Sequence, residues 1–131
     1  MKTFHVSTAF LATASFLLSQ PQESDYYPIT TIPLPEGEVI EVSGIDVLPG
    51  GKVAIASRRG DIFVGSGVFE NEPEPEWTLF ARGLHEVLGI AWKDNWLYLT
   101  QRPEVSRIKD SDGDGRADKT KVFYQDPDID G

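Results

Sequence analysis

From Val39 onward, short apolar runs alternate with turns. Val42–Leu48 stops at Pro49-Gly50-Gly51, Val53–Ser57 at Arg58-Arg59-Gly60-Asp61, and Ile62–Val64 at the polar stretch Gly65–Glu76. Trp77–Ala81 then runs into Arg82-Gly83-Leu84-His85-Glu86. A second series follows: Leu88–Trp92, Trp96–Thr100, Val105–Ile108 and Lys121–Tyr124, separated by Lys93-Asp94-Asn95, Gln101-Arg102-Pro103 and an aspartate-rich loop. Val, Ile, Phe, Trp and Tyr fit a pleated, half-buried surface, and Gly, Pro, Asp and Asn close each run, so the pattern predicts strands. No window after residue 20 carries a helical period.

The two series are copies. Ser43-Gly44-Ile45-Asp46-Val47 aligns with Leu88-Gly89-Ile90-Ala91-Trp92 at an offset of 45, and Val53–Arg58 aligns with Leu97–Arg102 at an offset of 44. Thr78-Leu79-Phe80 falls on Val122-Phe123-Tyr124. A four-stranded unit recurring every ~40–50 residues marks a β-propeller blade. The expected class is therefore all-β: a partial propeller of two four-stranded antiparallel blades, about residues 39–82 and 83–126. A small antiparallel sandwich is the alternative. The repeat predicts that Ile45 and Ile90 are buried equivalents, as are Ile55 and Leu99. Since a propeller takes roughly 4–8 blades, two blades imply that the remaining ones lie outside this chain; a complete small domain is the other reading.

The segment before the repeat is different. Residues 20–38 hold Pro21, Pro28, Pro33 and Pro35, which exclude helix and central strand, and read as an extended lead-in with Ile29–Ile32 on a sheet edge. Residues 1–19 hold one formal charge, Lys2, and a mostly apolar run from Phe10 to Leu18. This is the pattern of an export signal, with Ala12-Thr13-Ala14 or Ser19 as the place of cleavage, and implies a periplasmic or extracellular protein. A short buried helix is the alternative.

Composition narrows the function. The 131 residues include 12 basic and 21 acidic side chains, a net charge of −9, which argues against a surface for nucleic acid or an anionic membrane. With no cysteine, disulfides, thiolate metal sites and cysteine nucleophiles are excluded too.

Two groups of residues could carry chemistry. In a propeller, the turn between the second and third strands and the link between blades share one face. Arg58, His85, Gln101 and Arg102 therefore belong together, beside Glu86. Arginine binds carboxylates bidentately and histidine serves as a base near neutral pH, so the set suits a polar substrate or an anionic cofactor. Alternatively the arginines pair with acids and brace the turns. On the opposite face, Asp110, Asp112 and Asp114 occupy positions 1, 3 and 5 of an EF-hand-like loop, with Gly115 at 6, the Arg116 carbonyl at 7 and Asp118 at 9. Lys121 replaces the closing bidentate glutamate, so the expectation is weak, structural calcium binding; a solvated Asp-Gly turn is the other reading. The acidic stretch Glu70, Glu72, Glu74 and Glu76 reads as a solvated loop.

The strings Gly83-Leu84-His85-Glu86-Val87-Leu88-Gly89-Ile90-Ala91 and Tyr98–Asp118 resemble secreted bacterial propellers related to glucose/sorbosone dehydrogenases, a group often fused to haem c domains. The resemblance covers roughly residues 27–131. It implies a six-bladed propeller, and in active relatives pyrroloquinoline quinone, calcium, a sugar substrate and a haem c electron acceptor. By that resemblance His85 would be the proton-abstracting base, and Arg58, Gln101 and Arg102 would contact the quinone.

Overall fold

The computed structural model describes residues 21–102, 104–125 and 127; the expected export signal lies outside them. The chain divides into two compact units, Met1–Thr30 and Thr31–Gly131. In the first, the described residues form one 3-10 turn, Glu23–Asp25. The second holds eight strands: β1 (Val42–Leu48), β2 (Lys52–Ser57), β3 (Ile62–Ser66), β4 (Glu76–Ala81), β5 (Gly89–Lys93), β6 (Trp96–Gln101), β7 (Glu104–Lys109) and β8 (Lys119–Gln125). They form two four-stranded sheets in simple meander order, β1-β2-β3-β4 and β5-β6-β7-β8. Every pairing is antiparallel. The chain is thus all-β, as its pattern predicts. Ile29 and Ile32 are in no strand and are 96% and 39% exposed, so the expected edge strand there is absent.

Side-chain alternation gives the first sheet an apolar cluster on each face and the second sheet one on the face it turns to the first. Ala54 and Ala56 of β2 and Ile62 of β3 meet Leu97, Leu99 and Ile108 of the second sheet in a shared core with Leu48, Phe80 and Val87. The small residues of one sheet face the large residues of the other. On the far side of the first sheet, Val53, Ile55 and Phe63 form a second cluster, closed by Val68 from the β3–β4 loop and flanked by Ile40, Trp77 and Leu79. The Trp77 indole N–H donates to the Pro33 carbonyl at 2.9 Å, tying the lead-in to this side. Gly65 makes room for that indole, since a Cβ there would stand 2.6 Å from the ring.

The sheets meet most closely where β1 passes β5. A Cβ on Gly44 would lie 3.0 Å from the Ile90 nitrogen and 3.1 Å from the Gly89 Cα, so glycine is what permits the approach. Beside it, the Asp46 carboxylate accepts the Trp92 backbone N–H. At one end the aspartate loop leans back onto the first sheet: the Ala117 N–H donates to the Phe80 carbonyl at 2.8 Å. At the other end the Leu84 N–H donates to the Gly60 carbonyl at 3.0 Å.

The registers bear out the repeat. Ile45 opposes Ile55 and Ile90 opposes Leu99. Ile55 and Leu99 are buried, at 4% and 1% exposure, but Ile45 is 64% exposed, which corrects the expectation of burial at that position. The difference is one of neighbours: Ile90 has the first sheet above it, whereas among the described residues nothing covers Ile45.

Gly60 offers a direct test. It has φ +92°, and a Cβ there would stand 1.9 Å from the Leu84 carbonyl oxygen; Gly50, at φ +77°, has nothing within 4 Å. Gly50→Ala should cost about 1–2 kcal/mol, the left-handed backbone penalty. Gly60→Ala should cost at least about 3 kcal/mol, because strain and overlap add. Urea titrations of both variants check this; equal losses would mean that the β2–β3 turn does not touch the connector to β5.

Candidate functional site

The polar end of the molecule is built from three turns. Between β2 and β3, the buried Ser57 organises the turn: its hydroxyl accepts the Arg59 N–H at 3.1 Å and its N–H donates to the Asp61 carbonyl at 2.8 Å. The Arg58 N–H donates to the Glu41 carbonyl at 3.0 Å. In the second sheet the corresponding Arg102 N–H donates to the His85 carbonyl at 3.2 Å. His85 therefore stands where Glu41 stands in the first unit, and the same backbone bond is made at both places.

His85, Gln101 and Arg102 come together as the topology predicts. The Gln101 side-chain oxygen accepts the His85 N–H at 2.8 Å. Its amide donates to the Glu104 carboxylate at 3.1 Å and to the Ser106 hydroxyl at 2.9 Å. Ser106, fully buried, hydrogen-bonds Glu104 in turn. The His85 Nδ1 lies 2.7 Å from the Arg102 carbonyl, which makes Nδ1 the protonated nitrogen and leaves Nε2 as the lone-pair nitrogen. Arg102 pairs with Glu86 at 3.1 Å, and Glu86 adopts φ +48°, an uncommon conformation for a residue with a side chain. Gln101 and Arg102 are thus held by this chain's own groups. Arg58, exposed on the neighbouring turn, has no carboxylate partner among the described residues.

A second ion cluster was not legible in the sequence. Arg82 bridges Asp61 and Glu38, both at 3.0 Å, and its hydrogen bond to Asp61 leads in raising its pKa further above an already high value. It clamps the connector to the β2–β3 turn and the lead-in. Ser106 was equally hidden, since its partners are Gln101 at the end of the neighbouring strand and Glu104 two residues earlier in its own.

The aspartate loop sits at the other end. Carboxylate oxygens of Asp110, Asp112 and Asp114 lie within 4.8 Å of one another. Asp110 accepts the Gly113 and Gly115 N–H groups at 2.6 and 2.9 Å, and Asp114 accepts the Arg116 N–H at 2.8 Å. Asp118 is drawn to Ser111, accepting its N–H at 2.7 Å and its hydroxyl at 2.5 Å. The backbone thus supplies donors to these carboxylates, and the loop has an internal fold of its own. Gly113 and Gly115, at φ +86° and +88°, make that fold accessible. Between the sheets at this end opens a cleft of about 340 Å³, bordered by Leu48, Val64, Thr78, Phe80, Trp92 and Asp110. It does not include His85, Gln101 or Arg102.

No family model, curated protein or solved structure matches the chain. Among the described residues no helix is long and apolar enough to cross a membrane.

The loop makes a pH prediction. Hydrogen bonds from Gly113 and then Gly115 hold the Asp110 carboxyl below its ordinary 3.8, and the Ser111 hydroxyl does the same for Asp118. A carboxyl that binds its proton more weakly when folded stabilises the fold above the unfolded value and loses that contribution as pH falls through the lower folded value. The melting temperature should therefore fall below about pH 4. Ser111→Ala should shrink this acid-dependent fall while barely altering the slope above pH 5. An unchanged acid slope in that variant would remove Asp118 from the account.

Proposed function

We propose that this chain forms two consecutive blades of a β-propeller of the glucose/sorbosone dehydrogenase type, an exported sugar- or alcohol-oxidising protein. The observation that carries the propeller reading is the sense of stacking. A sandwich packs two sheets face to face with like faces inward. Here the repeat equivalents Val53/Ile55 and Leu97/Leu99 both point backward along the stack, while Ala54/Ala56 and Tyr98/Thr100 both point forward. Such head-to-tail stacking is heterologous, and a heterologous contact repeats into a ring when its rotation closes. The remaining blades would then complete the ring.

In that reading the His85 end borders the channel. Pyrroloquinoline quinone carries several carboxylates and, when bound, accepts two electrons from the substrate. The residues here fit one edge of such a site: Arg58 offers an uncommitted cation and His85 an Nε2 lone pair held in direction through Nδ1. His85 would take the substrate's hydroxyl proton, and Gln101 would position it through the His85 N–H. In the complete protein supplied with quinone and calcium, His85→Ala should lower kcat by about 10²–10⁴-fold, the usual contribution of a general base. Gln101→Ala should instead cost about 1 kcal/mol of stability, because the His85 N–H loses its acceptor while the Ser106 hydroxyl keeps Glu104. Dye-linked oxidation of aldoses and thermal melts separate the two. Full activity in His85→Ala would end its assignment as base.

A second reading, a non-catalytic propeller that binds carbohydrate or protein, is favoured by the mutual hydrogen bonding of His85, Gln101, Arg102 and Glu86, which braces the turns without any ligand. Quinone binding by the complete protein decides between them.

We assign weak calcium binding to Asp110, Asp112 and Asp114, with the Arg116 carbonyl and Asp118 as further ligands once Asp118 leaves Ser111. With Lys121 where a bidentate glutamate would close the loop, affinity should be on the order of 10⁻⁴–10⁻³ M. The ion would stiffen the loop that carries Ala117 to Phe80. Millimolar calcium should raise the melting temperature by linkage. Asp112→Ala should abolish that rise and behave like the wild type in chelator. A melting curve indifferent to calcium would reduce the loop to a turn.

A further inference from the structure

The polar side chains at the His85 end are bonded to one another, whereas those of the cleft at the opposite end are not. That cleft, about 340 Å³, opens between the two sheets. Its floor is apolar, built from Leu48, Val64, Phe80 and Trp92. Over the floor stand Lys52, Ser66, Glu76, Thr78 and Asn95. None of these five side chains makes a hydrogen bond or an ion pair among the described residues. A ligand cleft has this composition: an apolar lining with a few polar groups at fixed places.

The strand registers set three of the polar groups in a row. Lys52 pairs with Leu48, and Ser66 pairs with Glu76. The pairing of Val53 with Gly65 places Lys52 beside Ser66. One row of the first sheet, on the face turned to the second, therefore reads Leu48, Lys52, Ser66, Glu76. A cation and an anion stand two strands apart, roughly 10 Å between their Cα atoms, with a hydroxyl midway. The repeat does not demand this row. At the same level of the second sheet the registers place Lys93, Trp96, Lys109 and Lys119, with no acid among them.

Asp110 is the remaining charge at the cleft. Its two carboxylate oxygens accept the Gly113 and Gly115 N–H groups at 2.6 and 2.9 Å, so it is committed to its own loop. Lys52 and Glu76 are left, one charge of each sign. A simple anion would answer Lys52 and be repelled by Glu76, and a simple cation the reverse. A neutral polyol would answer neither charge. A zwitterion answers both. The charged ends of an extended dipeptide lie about 5–7 Å apart. A charge-assisted hydrogen bond of about 2.8 Å at each end brings that span to about the length of the row. The peptide group then falls at Ser66, and a side chain reaches the floor at Val64, Phe80 and Trp92. A cleft at the small end of the usual range, roughly 300–1,000 Å³, suits two residues and not a longer chain.

We propose that this cleft binds a zwitterionic dipeptide with an apolar side chain, its ammonium group at Glu76 and its carboxylate at Lys52. Ser66 bonds the peptide group between them. The site is separate from the His85 end and uses only groups that both sheets of this chain supply. It goes beyond the sugar-oxidising reading and does not depend on it.

Calorimetric titration of the purified protein with alanyl-leucine tests this, with tryptophan fluorescence as a second readout because Trp92 forms part of the floor. The dipeptide should bind. Acetylating its amino end or amidating its carboxyl end should each weaken binding about tenfold or more, the loss of one charge-assisted hydrogen bond. Lys52→Met should bind the dipeptide no better than the wild type binds the amide, and Glu76→Gln no better than the wild type binds the acetylated form. Both positions are exposed, so unchanged melting temperatures should show that these variants fold. Millimolar alanyl-leucine that gives neither heat nor a fluorescence change would overturn the proposal. Dipeptide binding that neither variant weakens would also overturn it, since the ligand would then sit elsewhere. Glucose binding that both variants weaken would put a neutral polyol in the cleft and overturn the zwitterion assignment.

Discussion

The whole arrangement depends on two edge strands passing at backbone distance. β1 and β5 are the first strands of their sheets, each with one side unpaired by its own sheet. An unpaired edge is a hazard, to be covered or blunted. Here β5 lies against β1, and one edge N–H, that of Trp92, is satisfied across the contact. The absence of a side chain at Gly44 lets the backbones close, and Asp46 satisfies Trp92 N–H at the crossing. Once that contact is made, the distance between the sheets is set. The space left over suits alanine on one side and leucine or isoleucine on the other, which is how Ala54 and Ala56 come to face Leu97, Leu99 and Ile108.

The strands and their grouping were legible because they are written in local signals: branched and aromatic residues in the runs, Gly, Pro, Asp and Asn between them, and a near-constant repeat. Ends were less so. The sequence pattern started the last strand at Lys121, whereas β8 begins at Lys119, because pairing with Lys109 carries polar residues into the ladder. Ile45 departs from its expected burial for a related reason. Strand register follows from the chain, but burial depends on what stacks above, and equivalents in a stacked repeat do not share neighbours at its ends.

The candidate site shows the same division. That His85, Gln101 and Arg102 meet followed from topology alone. That Gln101 is spent on the His85 N–H, Glu104 and Ser106 did not, since a side-chain amide's partners depend on turn geometry. The aspartate loop is legible through its carboxylates, but these accept the loop's own N–H groups, which no ligand spacing foretells. The equivalence of Glu41 and His85 adds a further point. Their carbonyls accept the same turn N–H, so the backbone at this position is a structural necessity of each unit while its side chain is free to differ.

The meander order has a kinetic consequence. Each strand pairs with its predecessor, so the first sheet is complete once Ala81 has been made, with no strand borrowed from later in the chain. Its own far-side cluster of Val53, Ile55, Phe63 and Val68 draws only on residues up to Leu79. Short loops close quickly, and local contacts shorten the search for the native state. The first sheet can therefore form as the chain emerges and serve as the template against which β5 is laid, with Gly44 and Asp46 already in position. Folding then advances along the chain one sheet at a time, in the direction of synthesis.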